Sequence, residues 1–292
     1  MQNSYRLGLI LTTCSAIAWS TSGFFTTWLG LDNWSLLLWR GIFGAFGILA
    51  FMAMRGGHAA WGDLRRLGVP GWLYAAISGI GMLCFITALT LTSVAHVAII
   101  YGTAPFIAAA TGWLVLRIRP GKAAMIAAGV AFIGVVIMVV PGLSSGAGLI
   151  GIGLWGDLLA FGMTLCLALM MIVAKRFDGI PTLAAAALSA ALSALVALPF
   201  AGDPALYSAP VWAMFVLFGL VNSALGLVLF TLGARLLPPV ETALIGALDA
   251  PLAPVWVWIA FGIMPDSYTM IGGLLVFGAV TAHILRSRRQ AV

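Results

Sequence analysis

A chain of 292 residues that is 63% hydrophobic and 8% charged, with a mean hydropathy of +1.13, is not a soluble domain. The net charge of +6 and pI near 9.7 would suggest a nucleic-acid partner for a soluble protein. Here membrane topology accounts for the basic residues, so no nucleic-acid partner is expected, and the only surface partner implied is the lipid bilayer. The three cysteines, Cys14, Cys84 and Cys166, fall in three separate apolar runs, which argues for free thiols. No CxxC or Cys/His cluster is present, so neither a metal nor any other cofactor is expected.

In chain order the apolar runs are Leu7–Trp28, Trp34–Met54, Val69–Leu91, Val94–Leu116, Ala123–Val140, Gly153–Ala174, Thr182–Phe200, Val211–Leu232, Val240–Phe261 and Tyr268–Leu285. Each is near the roughly 20 residues a helix needs to cross a ~30 Å hydrocarbon core. Only helices or closed barrels satisfy every backbone group in lipid, and long uninterrupted runs select helices. The first run is too long for a signal-peptide core and is diluted by Ser and Thr, so it reads as an uncleaved helix.

Numbering the ends alternately puts every Lys and Arg except Arg40 on one side. Arg6, Arg55, Arg65, Arg66, Arg117, Arg119, Lys122, Lys175, Arg176, Arg235 and the C-terminal arginines share it; the opposite loops carry Asp32, Asp203 and Asp266. Basic residues in short loops stay cytoplasmic, so both termini are expected in the cytoplasm of a multi-pass protein of a bacterial-type inner membrane.

The chain also repeats itself. At an offset of 146, Val94–Leu116 falls on the stretch from Val240 to Gly262 and Pro105 on Pro251; at 145, Gly8 falls on Gly153 and Thr12 on Asp157. Five spans per half is an odd number, so residues 146–292 are inverted relative to residues 1–145. That is an architecture of secondary transporters. The Gly- and Ser-rich stretch from Pro141 to Gly148 reads as the link between the halves. The expected fold is all-α, with ten membrane helices in two inverted five-helix repeats around a central cavity.

Polar stripes mark faces turned from lipid. In the first span Thr12, Ser15, Trp19, Ser22 and Thr26 share one face; the sixth carries Asp157, Phe161 and Thr164, and the fourth His96 and Thr103. The ninth carries Thr242, Asp249 and Trp256, the third Ser78, Met82 and Phe85, and the eighth Asn222. The candidate substrate residues are Trp19, Ser15, Met82, Phe85, Tyr101, Thr103, Phe161, Thr164, Asn222 and Trp256. Against this stands ordinary membrane packing: Ser and Thr often bond their own i−4 carbonyl, aromatics pack, and Asn can hydrogen-bond between helices. Pro105, Pro251 and Pro254 lack the N–H that continues a helix and are expected at bends. Spans five and ten, nearly all Ala, Val, Ile, Leu and Gly, read as lipid-facing or interface helices.

Three ionisable groups lie deep within spans. At 1.5 Å per residue, Arg40 is roughly 9 Å and Asp157 roughly 6 Å below the outer surface, while Asp249 lies about 14 Å above the inner one. Similar depth makes Arg40 and Asp157 either a structural ion pair or, in the sharper reading, leaves Arg40 to clamp a substrate carboxylate in a bidentate fork. Asp249, near the midplane where charge is costly, is either a proton carrier or a packing residue beside a proline-freed carbonyl.

The chain resembles the ten-helix, EamA-type branch of the drug/metabolite transporter superfamily. The resemblance rests on Ala18-Trp19-Ser20-Thr21, Arg40, Ala104-Pro105-Phe106 and the second Ala250-Pro251, together with the ten spans and the repeat. Leu116-Arg117 and Gly262-Ile263 stand where many members carry Gly-Glu; with the Trp-Ser-Thr this departure looks most like aromatic amino acid exporters of the YddG type. That resemblance implies amino acid substrates and outward transport; whether the chain works as a monomer or a homodimer is left open by the sequence.

Other functions find no motif. Gly142-Leu-Ser-Ser-Gly146 matches G-x-S-x-G but follows no strand. His96 and His283, read as near the inner ends of their spans, have no evident serine partner, and no P-loop is present to drive ATP-linked transport. The expectation is a secondary exporter of amino acids, a broad set that includes aromatic ones. A multidrug or other-metabolite exporter of the same fold is the alternative, and a receptor or structural protein without flux a remote one.

Overall fold

The computed structural model describes residues 2–56, 58–92, 94–144, 152–177 and 179–290. Among them there is no strand, and ten helices are long and apolar enough to cross a membrane. We label them α1 (Ser4–Leu29), α2 (Asn33–Arg55), α3 (Gly68–Leu91), α4 (His96–Leu116), α5 (Lys122–Val139), α6 (Gly153–Arg176), α7 (Thr182–Phe200), α8 (Ala209–Leu236), α9 (Pro239–Phe261) and α10 (Ser267–Arg286). The ten spans fall where the sequence sets them. A short helix, His58–Arg65, lies between α2 and α3. Helix continues past α5 to Ser144, into the stretch read as a flexible link; the rest of that stretch, from residue 145, lies outside the described residues.

The inverted repeat governs the packing. An offset of 145 carries Gly44 onto Ser189 and Ser78 onto Ser223. Ser223 packs against Gly44 between α8 and α2, and Ser189 hydrogen-bonds Ser78 between α7 and α3, so one crossing occurs twice. The same offset carries Gly81 onto Gly226. Gly81 of α3 lies under Cys166 of α6, and Gly226 of α8 lies under Trp19 of α1. Helices α2 and α7 pair with each other, as do α5 and α10. In the α2–α7 pair Gly41 faces Ala190 and Ala194, and in the α5–α10 pair a Cβ on Gly134 would lie 2.6 Å from the Gly272 carbonyl oxygen. Lipid gives no hydrophobic drive for helices to associate, so small residues that admit close backbones supply the van der Waals contact.

The two ends of the bundle differ in chemistry, and we call them the basic end and the far end. At the far end the three aspartates cap helices. Asp32 Oδ1 accepts from the Ser35 N–H (2.9 Å), Asp203 Oδ1 from Ala205 (2.9 Å) and Asp266 Oδ1 from Thr269 (2.7 Å). Each satisfies a backbone donor that the first turn of a helix leaves open. At the basic end Lys175 Nζ donates to the Leu237 carbonyl (2.7 Å) and Arg235 Nη2 to that of Phe177 (3.4 Å), so cations meet carbonyls beyond helix C-termini.

Candidate functional site

Arg40, partly buried in α2, points between helices. Its Nη1 donates to Asn222 Oδ1 of α8 (3.0 Å), its Nη2 lies 3.1 Å from Met82 Sδ of α3, and the guanidinium stands 5.8 Å from the centre of the Phe218 ring. The expected ion pair with Asp157 is absent. Asp157 Oδ1 accepts instead from the Thr92 hydroxyl (2.9 Å) and lies 3.1 Å from His96 Nδ1. Depth placed Arg40 and Asp157 at one level, but they stand on different seams: α6 packs against α3 and α4, while α2 packs against α7 and α8. His96 sits at the far end rather than the inner end, because α4 enters from that side and His96 is its first residue. Among the described residues no carboxylate forms an ion pair with Arg40.

What orients Arg40 is a local distortion of α8. The helix widens to π-helical turns over Gly219–Leu225. Such widened turns often mark functional sites. Gly219 meets α2 there, where a Cβ would lie 2.9 Å from the Gly44 backbone nitrogen. Asn222, 1% exposed, sits within this segment and spends its whole amide. Its Nδ2 donates to the carbonyls of Trp19 (2.9 Å) and Ala18 (3.3 Å), while Oδ1 receives Arg40. Asn222 is therefore an interhelical bond and a positioning residue for the guanidinium.

The polar stripe of α1 turns out to be the seam with α8. Ser15, 1% exposed, donates to the Gly226 carbonyl (2.8 Å), and Thr12 is buried against Gly233. The Trp19 indole lies over Gly226, where a Cβ would come 2.5 Å from Cδ1, and its ring centre is 4.8 Å from that of Phe230. Ser15 thus faces protein rather than a cavity, because small polar residues fit the grooves that glycines open. Thr164 is fully buried and bonds the Ala160 carbonyl (2.8 Å), so it too presents nothing to a cavity. Thr103 bonds the Ile100 carbonyl (2.6 Å) in the same local manner.

Helices α4 and α9 are each broken near mid-length. Regular helix stops at Gly102 and resumes at Ala104, just before Pro105; in α9 it stops at Gly246 and resumes at Asp249, just before Pro251. Pro105 and Pro251 each stand one or two residues past the point where the helix resumes, whereas Pro254 lies inside the second half-helix. Asp249 opens that half-helix, and no hydrogen bond or ion pair from a described residue reaches its carboxyl. Tyr101, at the end of the first half of α4, lies within electrostatic range of it.

Trp19, Arg40, Met82 and Asn222 are thus brought together. Phe85 packs against the same buried cluster as Met82, formed by Leu37, Leu38, Ile86, Ala194 and Ala197, while Phe161 is 49% exposed and Trp256 donates from Nε1 to the buried Ser20 Oγ (2.8 Å). Sequence reasoning missed Phe218 beside Arg40, Ser20 under Trp256, and Thr92 beside Asp157. Only Ser20 carried a signal, being part of the Trp-Ser-Thr run.

The EamA-like transporter family model matches residues 6–140 and again residues 154–284, one match per repeat. A solved crystal structure 20% identical in sequence superimposes with a TM-score of 0.81, covering 97% of this chain and 98% of that one, which is a likeness of fold. No curated protein sequence matches the chain.

Proposed function

Because the chain belongs to the EamA-like transporter family, and is a multi-pass membrane transporter of small metabolites rather than an enzyme, we propose that it exports amino acids and that Arg40 receives their carboxylate. The observation that carries this reading is a guanidinium inside the bundle with no carboxylate partner among the described residues. A cation within the membrane is costly and marks a functional site. Two of the five N–H groups of Arg40 are engaged, by Asn222 and Met82, so others are left for a carboxylate. Beside it the thioether of Met82 suits apolar and aromatic side chains, and Met adapts to several. That adaptability supports a broad substrate set.

The export direction rests on the resemblance to amino acid exporters; the positive-inside rule supplies the orientation, with the basic end in the cytoplasm of a bacterial-type inner membrane. Asp249, with no hydrogen-bond or ion-pair partner among the described residues, stands at the break of α9 and is the proposed coupling proton site. The test is counterflow of labelled phenylalanine, leucine and threonine in proteoliposomes, with and without a pH gradient. Exchange of all three, made uphill by the gradient, is expected. Transport of non-carboxylate drugs without amino acid exchange would replace this reading with a multidrug exporter, and no flux of any solute would leave a receptor.

A further inference from the structure

Among the described residues, two polar ties that hold a carboxylate join the repeats, one near each end, and they involve equivalent helix pairs. At the far end Asp157 of α6, the first helix of the second repeat, is held by the Thr92 hydroxyl (2.9 Å) and by His96 Nδ1 (3.1 Å to Oδ1, 3.3 Å to Oδ2). Thr92 and His96 flank the turn into α4, the fourth helix of the first repeat. At the basic end Tyr5 of α1, the first helix of the first repeat, donates its hydroxyl to Glu241 Oε2 of α9, the fourth helix of the second. His283 Nε2 of α10 stands 3.7 Å from the same oxygen.

The inverted repeat carries the α6–α4 pair onto the α1–α9 pair. The residues differ, because the 146 offset sets His96 on Thr242 rather than Glu241. The equivalence is of helices and of position in the outermost turns. Both pairs pack along their length, and α4 and α9 are each broken, with an interruption of the helix between the tied end and the other half.

We propose that these ties are the two gates of the transport cycle, Thr92–Asp157–His96 at the far end and Tyr5–Glu241–His283 at the basic end, and that opening a passage at either end requires parting the tie there. The proposal rests on the transporter reading but not on the identity of the substrate. Three features support it. Thr92–Asp157, His96–Asp157 and Tyr5–Glu241 are the described ion pair and charged hydrogen bonds that link one repeat to the other near each mouth, and His283 supports Glu241 from within the second repeat. Each joins a helix to a broken one, so parting a tie can swing a half-helix without moving the whole bundle. The basic-end tie also borders a crevice of about 210 Å³ between α4, α5 and α9, lined by Ala108, Gly112, Arg119, Pro239 and Glu241.

The gates differ in strength. The His96 and Asp157 side chains are 45% and 31% exposed, against 3% for His283 and 16% for Glu241. Water competes with the far tie and hardly reaches the basic one, so the far gate parts more readily. Breaking the basic tie shifts the resting population more than breaking the far one.

Two measurements test this, on protein lacking Cys14, Cys84 and Cys166. In the first, Thr92→Cys with Asp157→Cys, or Tyr5→Cys with Glu241→Cys, is oxidised to a disulfide. Each lock should lower counterflow by roughly tenfold or more, with recovery on reduction; counterflow at the unlocked rate in either cross-linked protein would overturn the proposal. In the second, Met82→Cys reports access to the site by its labelling with a membrane-impermeant maleimide from each side. Added Glu241→Ala should raise labelling from the basic side by roughly tenfold, and added Asp157→Ala should raise it from the far side by about threefold. Unchanged labelling from both sides in both variants would overturn it as well. Labelling needs no substrate, so a wrong substrate assignment shows as absent counterflow in unlocked protein while the gates are still judged.

Discussion

Met82→Glu separates charge from shape at Arg40. The Met82 sulfur lies 3.1 Å from Arg40 Nη2, and a glutamate at this position is close to methionine in length, so its carboxylate reaches the same nitrogen. Two opposite charges about 4 Å apart attract by about 4 kcal/mol at an effective dielectric of about 20. A hydrogen bond from a charged donor contributes about 1.5–3 kcal/mol net. The resident carboxylate therefore outcompetes a diffusing one, and a substrate that loses its contact with Arg40 binds roughly 10- to 150-fold more weakly. Met82→Gln has the same shape without the charge and should change KM by no more than about threefold. The assay is initial-rate uptake of labelled phenylalanine into inside-out proteoliposomes over a range of concentrations, with incorporation matched by immunoblot. Equal KM values for the Glu and Gln variants would refute the reasoning, because they would show that a negative charge at Arg40 does not compete with substrate.

Three further outcomes follow from the contacts. In a double-mutant cycle of Arg40→Ala and Asp157→Ala, losses of detergent stability should add within about 0.5 kcal/mol, since the two side chains have different partners; a coupling above about 1 kcal/mol would restore the ion pair. Asp249→Asn should abolish uphill, pH-driven export while sparing exchange of labelled substrate, and intact pH-driven export would make Asp249 a packing residue. Gly226→Ala places a methyl 2.5 Å from Trp19 Cδ1 and should destabilise the protein by about 1–3 kcal/mol, read as a lower melting temperature; an unchanged melting temperature would show that Trp19 moves aside freely.

The spans, the repeat and the breaks near Pro105 and Pro251 were legible because each rests on a one-dimensional signal: hydropathy length, offset, or a missing N–H. Arg40 was legible as an exception to the charge asymmetry. Its partner was not, since depth along a helix is written in the sequence while the seam a residue faces is not. The stripe Thr12, Ser15, Trp19 was a true stripe, but periodicity reports only that a face avoids lipid. Gly226 and Gly233 of α8, which make that face a helix–helix seam, lie more than 190 residues away. The π-helical turns that set Asn222 beside Arg40 left no mark either, because Gly219-Leu-Val-Asn-Ser reads as ordinary membrane helix. Asp32, Asp203 and Asp266 were read through topology alone, yet each is also a capping residue.

Whether Arg40 holds a carboxylate is tested most directly by binding to the purified protein. Phenylalanine and phenylalaninamide share a side chain and an amino group and differ in the one group assigned to Arg40. Their affinities would be measured by competition with labelled phenylalanine for the wild type, and by thermal protection for both the wild type and Arg40→Gln. The wild type should prefer the acid by roughly tenfold or more, and Arg40→Gln should bind acid and amide alike, at about the amide's wild-type affinity. Equal binding of the two by the wild type, or a preference for the acid that survives in Arg40→Gln, would contradict the assignment.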